Sequence, residues 1–232
     1  MEEITIIIPT KNEEECIEFT INELRSLGLN KILIADGQSD DKTINIVKKL
    51  NCNYFIQSGK GYGNAVIESL KHVNTKYVCF FDSDGSYNPN SIKKMYDILI
   101  NENLDFVLCS RYKGNLKSDD DTFIRYIGNY FFTSFLKFIF KAKITDFLFH
   151  FTLAEKDNYL KLNLEYNSFS LCSEVPIKVH KYGFKYNEIP SKERKRISGK
   201  SKVNAFYDGL IILYDMLQLY FKLNFNDQNK KN

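Results

Sequence analysis

Short apolar runs alternate with segments of helical periodicity through the first half of the chain. The apolar runs have the length of strands and lie at residues 4–8, 31–35, 53–56, 77–81 and 105–109. Segments with helical spacing lie between them at residues 13–27, 42–50, 63–71 and 90–101. Because the runs are apolar throughout, they predict strands that are covered on both faces, as in a parallel sheet. The alternation predicts right-handed βαβ crossovers and an open α/β sheet.

The pattern changes after about residue 112. A polar loop at 113–122 precedes a strongly apolar segment of helical periodicity at 123–140, and residues 145–200 predict short strands with one helix near 173–182. The last apolar segment, 204–225, carries Asp208 and Asp215, which are seven residues apart and therefore share one helical face. Since charges are costly inside a bilayer, this segment predicts an amphipathic helix on the protein or on a membrane surface, not a membrane span.

We therefore expect one domain at residues 1–203, with halves at 1–112 and 113–203, followed by a helix and polar tail at 204–232. Hydrophobic residues make up 44% of the chain, which excludes global disorder. The net charge of +3 is too small to indicate a nucleic-acid partner. Five dispersed cysteines without a CxxC pair predict buried, reduced thiols in a cytosolic protein. Glu2 and Glu3 precede the first apolar run, so we expect no export signal at this end.

Polar residues follow the predicted strands at the points where the strands end. Asp36 follows the second strand, and Asp82 and Asp84 follow the fourth. Ligands bind beyond the carboxyl ends of such strands, where two carboxylates can share a divalent cation that also binds diphosphate oxygens. The alternative is an acidic turn that caps the next helix. Residues 59–63, a glycine-rich loop that opens a helix, suit either phosphate binding or a flexible turn.

Taken in order, these segments resemble the family 2 glycosyltransferases of the GT-A fold. The matching segments are residues 6–13, 35–43, 61–65 and 81–85, with Pro89 after them. The resemblance implies a Rossmann-like mixed sheet flanked by helices, a GDP- or UDP-hexose donor, and Mg²⁺ or Mn²⁺ held by Asp82 and Asp84. It places Asp36 near the base. The donor-binding residues that it implies are Pro9, Thr10, Asn12, Glu13, Asp36, Gly37, Ser39, Lys60, Gly61, Asp82 and Ser83.

The second half is similar to dolichyl-phosphate mannose synthases and related polyprenyl-phosphate sugar transferases. The matching segments are Ser110-Arg111-Tyr112, Arg125 with Asn129, Asp146, and residues 196–202. The resemblance implies that the acceptor phosphate is bound by Arg111, Arg125, Arg196, Ser201 and Lys202. The chain departs from this family at His150, which stands where glycine is usual.

The prediction is an inverting glycosyltransferase that moves a hexose to a polyprenyl or dolichyl phosphate. Its acceptor is already anionic, so it needs cationic positioning by arginine more than a base. Asp84, Arg111 and Arg125 are the predicted catalytic residues. The 123–140 helix would lie peripherally on the cytoplasmic face of a membrane or, alternatively, be an ordinary core helix.

Two other functions stay open. One is transfer to a hydroxyl of a glycan or glycolipid, which would require a carboxylate base, and Glu174 is the candidate. The other is a non-catalytic module that binds a nucleotide sugar.

Overall fold

A seven-stranded mixed sheet forms the centre of the computed structural model, which describes residues 1–199, 204 and 206–229. Its strands are β1 (Ile4–Thr10), β2 (Ile32–Asp36), β3 (Asn53–Ile56), β4 (Tyr77–Phe80), β5 (Phe106–Ser110), β6 (Thr152–Glu155) and β7 (Tyr186–Pro190). The order across the sheet is β3-β2-β1-β4-β6-β5-β7. Strand β6 runs antiparallel to β4 and β5, and the other neighbouring pairs are parallel.

Helices cover both faces of this sheet. They are α1 (Ile17–Ser26), α2 (Thr43–Lys49), α3 (Tyr62–Ser69), α4 (Asn90–Asn101), α5 (Phe123–Phe140), α6 (Lys156–Lys161), α7 (Leu171–Lys181) and α8 (Tyr207–Asn229). Side chains of successive strand residues point to opposite faces. Accordingly Ile6 and Ile8 of β1 join a core with α1, α2 and α4, whereas Ile7 joins a core with α3, α5, α7 and α8.

The sheet confirms the predicted GT-A class and corrects some details. Strands β1, β2, β4 and β5 are buried along their whole length, as their apolar sequences predict. Strand β3 is at the sheet edge and is mostly exposed, so the prediction of burial on both faces was wrong there. Between residues 145 and 199 the structure has two helices, α6 and α7, instead of the single one expected. The five cysteines are buried free thiols, as predicted.

The two apolar helices differ in how much of their surface packs against the sheet. In α8, Ile212, Met216 and Leu219 are buried at helical spacing. In α5, Leu136 is buried, while Phe123 and Phe138 are 76% and 82% exposed. Within the described part of the chain, no helix combines the length and the apolar character that crossing a bilayer requires.

Candidate active site

A cavity of about 500 Å³ opens at the carboxyl ends of β1, β2 and β4. This is the edge of the sheet at which the sequence predicts ligand binding. Its lining includes eight of the predicted donor-binding residues: Pro9, Thr10, Glu13, Gly37, Lys60, Gly61, Asp82 and Ser83. Asp84 and Arg196 also line it. The structure therefore brings the acidic loop after β4 and the glycine-rich loop before α3 to one site.

Two backbone N–H groups of the acidic loop donate to its own carboxylates. The N–H of Ser83 donates to Oδ1 of Asp82 (2.7 Å), and the N–H of Ser86 donates to Oδ1 of Asp84 (2.9 Å). Burial raises the pKa of the Asp82 carboxyl well above its usual value, and the nearby charge of Asp84 raises it further. Two carboxylates crowded in a poorly solvated site favour the binding of a cation, because a cation removes their mutual repulsion.

Asp82 and Asp84 fit a hard divalent cation that takes its other ligands from a substrate. Among the residues that the structure describes, no cluster of three or more histidine, cysteine or acidic side chains forms a closed metal cage. Mg²⁺ in phosphate-transferring sites is usually bound by one or two carboxylates together with substrate phosphates and waters. The two acids on the cavity wall match that donor set.

Three of the predicted donor-binding residues lie outside the cavity lining and connect the loops after β1 and β2. The Ser39 hydroxyl donates to Oδ1 of Asp36 (2.6 Å), and its N–H donates to Oδ2 (3.0 Å). The N–H of Asn12 in turn donates to the Ser39 hydroxyl (2.8 Å). The carboxylate of Asp36 is therefore bound by Ser39. These three residues connect the two loops behind the cavity and do not line it.

The glycines of the 59–63 loop allow another part of the backbone to come very close. A Cβ on Gly61, whose φ is +97°, would lie 2.2 Å from the carbonyl oxygen of Asn167. A Cβ on Gly63 would lie 2.0 Å from the carbonyl oxygen of Tyr166. Both distances are too short for any side chain. The loop thus requires glycine because of the 166–167 backbone, independently of any phosphate.

The basic segment after β7 crosses the acidic loop and is anchored by Arg194. The Arg194 guanidinium donates to both carboxylate oxygens of Glu23 (2.7 and 2.8 Å) and to the carbonyls of Gly85 and Tyr87 (2.8 and 2.6 Å). This anchor places Arg196 in the cavity, where its Nη2 lies 3.1 Å from Oδ2 of Asp84. Ser201 and Lys202, which the family resemblance assigns with Arg196 to the acceptor phosphate, lie outside the described residues.

Arg125 and Arg196 meet at one carboxylate. Oδ2 of Asp120 lies 3.4 Å from Nε of Arg196 and 3.7 Å from Nη1 of Arg125. Asp84, Arg196, Asp120 and Arg125 therefore form a continuous series of ion pairs from the cavity wall to α5. Asp120 lies in the polar loop at 113–122 and was not among the predicted site residues.

Arg111 has a different environment. Its guanidinium forms a two-point ion pair with Asp146 (2.7 and 3.0 Å) and lies 3.5 Å from Glu193, and the residue is only 7% exposed. Burial acts to lower the pKa of Arg111, but the charges of Asp146 and Glu193 outweigh it and raise the pKa well above its usual value. Arg111 is thus a permanently charged group whose donors are already bound by acids.

The structure does not bring Glu174 to the cavity lining. This residue is completely buried in α7, where Nζ of Lys178 lies 2.7 Å from its carboxylate. The carboxylate also accepts the N–H groups of Glu165 and Tyr166 (2.9 and 3.1 Å). The expectation that Glu174 serves as a base for a hydroxyl acceptor has no support in this placement, because its oxygens are bound inside the protein.

Six lining residues are not among the predicted binding residues. Four of them, Lys11, Gln38, Tyr62 and Ala65, lie in segments that match the family, whereas Gln57 and Phe169 lie outside those segments. Gln57 directly follows β3, so the same reasoning about strand ends would have found it. Phe169 belongs to the segment between α6 and α7 and has no local sequence signal that connects it with the cavity.

Comparison with known proteins identifies the family. Residues 5–162 match the model of glycosyl transferase family 2. The chain belongs to the family 2 glycosyltransferases. This glycosyltransferase is 28% identical over 226 residues to glycosyltransferase AglJ of Haloferax volcanii, a match that covers 97% of this chain and 73% of that protein. It is 27% identical over 240 residues to the UDP-N-acetylglucosamine–dolichyl-phosphate N-acetylglucosaminyltransferase of Methanococcus voltae, with 93% and 95% of the two chains covered.

A solved structure supports the fold of this family 2 glycosyltransferase. Glucosyl-3-phosphoglycerate synthase from Mycobacterium tuberculosis, in complex with Mn²⁺ and UDP-glucose, superimposes with a TM-score of 0.73 at 15% sequence identity. The superposition covers 94% of this chain and 78% of that one. At this identity the likeness concerns the fold alone, and it agrees with the GT-A class predicted from the sequence.

Proposed function

We propose that this glycosyltransferase moves a hexose from a nucleoside diphosphate to a polyprenyl or dolichyl phosphate, with inversion at the anomeric carbon. The observation that carries the proposal is the series of ion pairs that joins Asp84 in the cavity to Arg125 on α5. It links a site suited to a diphosphate with cations suited to a second phosphate. The name of the Methanococcus voltae relative, a dolichyl-phosphate sugar transferase, agrees with this acceptor.

The donor would occupy the cavity, whose volume suits a ligand of that size. Asp82 and Asp84 would hold Mg²⁺ or Mn²⁺, which supplies positive charge to the diphosphate when bound. Lys60 and Arg196, both on the cavity wall, would stabilise the negative charge that develops on the departing diphosphate.

The acceptor phosphate would be positioned by Arg125. Its ion pair with Asp120 is 3.7 Å long and its side chain is 27% exposed, so an incoming phosphate can replace the carboxylate. A lipid phosphate oxygen attacks the anomeric carbon as the bond from that carbon to the donor diphosphate oxygen breaks, and the diphosphate leaves with the electron pair. Attack from the opposite face inverts the carbon and leaves no sugar attached to the protein.

The lipid tail would lie along α5. The helix carries Arg125 and exposes apolar side chains over most of its length: Phe123, Ile124, Ile127, Tyr130, Phe131 and Phe138. Lys137 and Lys141 near its end would contact anionic headgroups. We infer that the enzyme binds peripherally to the cytoplasmic face of a membrane through this helix.

The test is a screen of UDP- and GDP-hexoses against a short polyprenyl phosphate, with Mg²⁺ or Mn²⁺ and chromatographic detection of the glycolipid. We expect one donor to give a glycosyl-phospholipid, and EDTA to abolish the product. The matched control acceptor is the corresponding polyprenol, which has a hydroxyl in place of the phosphate. Transfer to the polyprenol and not to its phosphate would contradict the proposed acceptor.

A further inference from the structure

A buried histidine contacts a tyrosine on the cavity wall. Tyr62 is the first residue of α3 and lines the cavity. Its hydroxyl lies 2.9 Å from Nδ1 of His150, a residue that is 2% exposed and lies just before β6. The imidazole stacks on Phe80 of β4, with ring centres 4.7 Å apart. His150 therefore lies behind the wall and does not form part of it.

The hydrogen bond with Tyr62 explains why the buried position 150 carries a histidine instead of an apolar side chain. Burial lowers the pKa of His150 to about 3, so the imidazole is neutral near pH 7. Its Nε2 is buried without a hydrogen-bond partner in the described part of the chain. A buried polar atom left unsatisfied costs free energy, which an apolar side chain of similar size would avoid. The bond at Nδ1 offsets this cost and restrains the tyrosine.

The restrained tyrosine is part of an aromatic surface. Its ring stacks on Phe169 with a centroid distance of 5.0 Å and an interplanar angle of 14°. Both residues line the cavity. The two stacked rings thus form an aromatic part of the cavity lining, one from the glycine-rich loop and one from the segment before α7.

The topology places this surface between the two ends of the site. His150 leads into β6, which lies between β4 and β5 in the sheet. The acidic loop follows β4, and Arg111 follows β5. A group held next to His150 therefore lies between the diphosphate end and the acceptor end. The transferred sugar must occupy that interval, since its anomeric carbon is bonded first to one phosphate and then to the other.

We propose that Tyr62 and Phe169 form the surface against which the transferred sugar lies, and that His150 is a positioning residue that holds Tyr62 in place. The inference rests on the proposed function and names the residues that contact the sugar. The C–H face of a hexose is apolar and packs against aromatic rings, while its hydroxyls remain available to polar groups on the opposite wall.

The experiment compares the binding of a nucleotide sugar with that of its nucleoside diphosphate. The probes are UDP-glucose with UDP and GDP-mannose with GDP, measured by calorimetry with Mn²⁺, and the pair that wild type binds is used. We expect His150→Leu to weaken binding of the nucleotide sugar about tenfold, the effect of one lost hydrogen bond at a binding surface. Binding of the nucleoside diphosphate should change less than about twofold, because it does not reach the aromatic surface.

Two matched variants separate positioning from packing. His150→Asn can place an amide nitrogen near the position of Nδ1 and should restore much of the binding, whereas His150→Gln places its amide further out and should not. Tyr62→Phe keeps the ring and removes the hydroxyl, so it should reproduce the effect of His150→Leu. The double variant should be no weaker than either single one, since both remove the same hydrogen bond.

Several outcomes would overturn the inference. Equal weakening of nucleotide sugar and nucleoside diphosphate, unchanged binding of both, or additive effects in the double variant would each do so. Thermal unfolding identifies variants that fail to fold, and Tyr62→Phe, which alters one hydroxyl, then decides the question alone. If the wild-type protein bound neither probe pair and transferred sugar from no other nucleotide sugar, that result would contradict the proposed function itself.

Discussion

The proposed donor end and the proposed acceptor end of the site differ in how their charges are balanced. At the proposed donor end, Asp82 is half-buried next to the buried Asp84. Desolvation raises the pKa of Asp82, the nearby charge of Asp84 raises it further, and the charge of Arg196, which pairs with Asp84, only partly lowers it. At the acceptor end each arginine already has an acid, Asp146 for Arg111 and Asp120 for Arg125. We therefore expect two kinds of binding. At the proposed donor end two carboxylates share one arginine, Arg196, so negative charge remains for a cation to balance, whereas at the proposed acceptor end an incoming anion must displace a carboxylate.

Asp84→Asn should have the largest effect. Removing its charge takes one of the two carboxylates from the proposed cation site, so we expect transfer to fall roughly 10²–10³-fold. Glycolipid formation measures the loss, and thermal unfolding shows whether the fold is kept. The matched control is Asp97→Asn on α4, where an exposed carboxylate pairs with Lys93, and it should leave activity unchanged. Near-normal turnover of Asp84→Asn would show that transfer does not require the proposed cation site, and the two ends would then not differ in the way described.

Arg111→Leu should reduce stability strongly. It leaves Asp146 buried without its partner, which typically costs about 3–5 kcal/mol in the free energy of unfolding. Urea denaturation measures this cost. Arg111→Lys keeps the charge without the two-point geometry and should lose less stability. If Arg111→Lys kept full stability and lost all transfer, Arg111 would contact the acceptor directly, and its ion pair with Asp146 would be secondary.

Arg125→Gln should have a smaller and more selective effect. Because Arg125 is partly exposed and its ion pair is long, stability should change by less than about 0.5 kcal/mol. We expect KM for the polyprenyl phosphate to rise about tenfold, and KM for the donor to stay within about twofold. Steady-state kinetics with each substrate varied in turn gives both values. A rise in the donor KM alone would assign Arg125 to the other end of the site.

Replacing Glu174 should have the smallest effect on transfer. The double variant Glu174→Gln/Lys178→Met removes both charges of a buried pair, which is often close to neutral for stability. Transfer should stay within about threefold of wild type, because Glu174 lies away from the cavity lining. Loss of transfer in a folded double variant would support the alternative hypothesis of a hydroxyl acceptor, because that reaction needs a carboxylate base.

Features that depend on neighbouring residues were predicted well. The apolar runs of β1, β2, β4 and β5 and the helical period of α5 are visible in the chain itself, and the structure contains them close to the predicted positions. The rule that ligands bind beyond strand ends selected Asp82 and Asp84, and both line the cavity. The prediction that β3 is buried on both faces was wrong, because an apolar sequence does not reveal whether a strand is central or at the edge of a sheet.

Features that depend on pairing between distant residues were not predicted. The resemblance assigns Arg196 to the acceptor phosphate, but its contact with Asp84, 112 positions earlier in the chain, was not predicted. Glu174 has the right residue type for a base, but its partners Lys178, Glu165 and Tyr166 bind its oxygens inside the protein.

The amino-acid sequence alone determined the alternation of strands and helices in residues 4–110, the edge of the sheet that carries the cavity, and the resemblance to the family. These features are visible in the sequence because periodicity and strand-end residues involve neighbouring positions. Tertiary structure decided which charged groups are available to a ligand and which are already paired. The physical reason is that pairing and desolvation depend on which residues meet across the fold. Arg111 is buried and bound by Asp146, whereas Arg125 is partly exposed and only loosely paired with Asp120, because the acids and the packing around the two arginines differ.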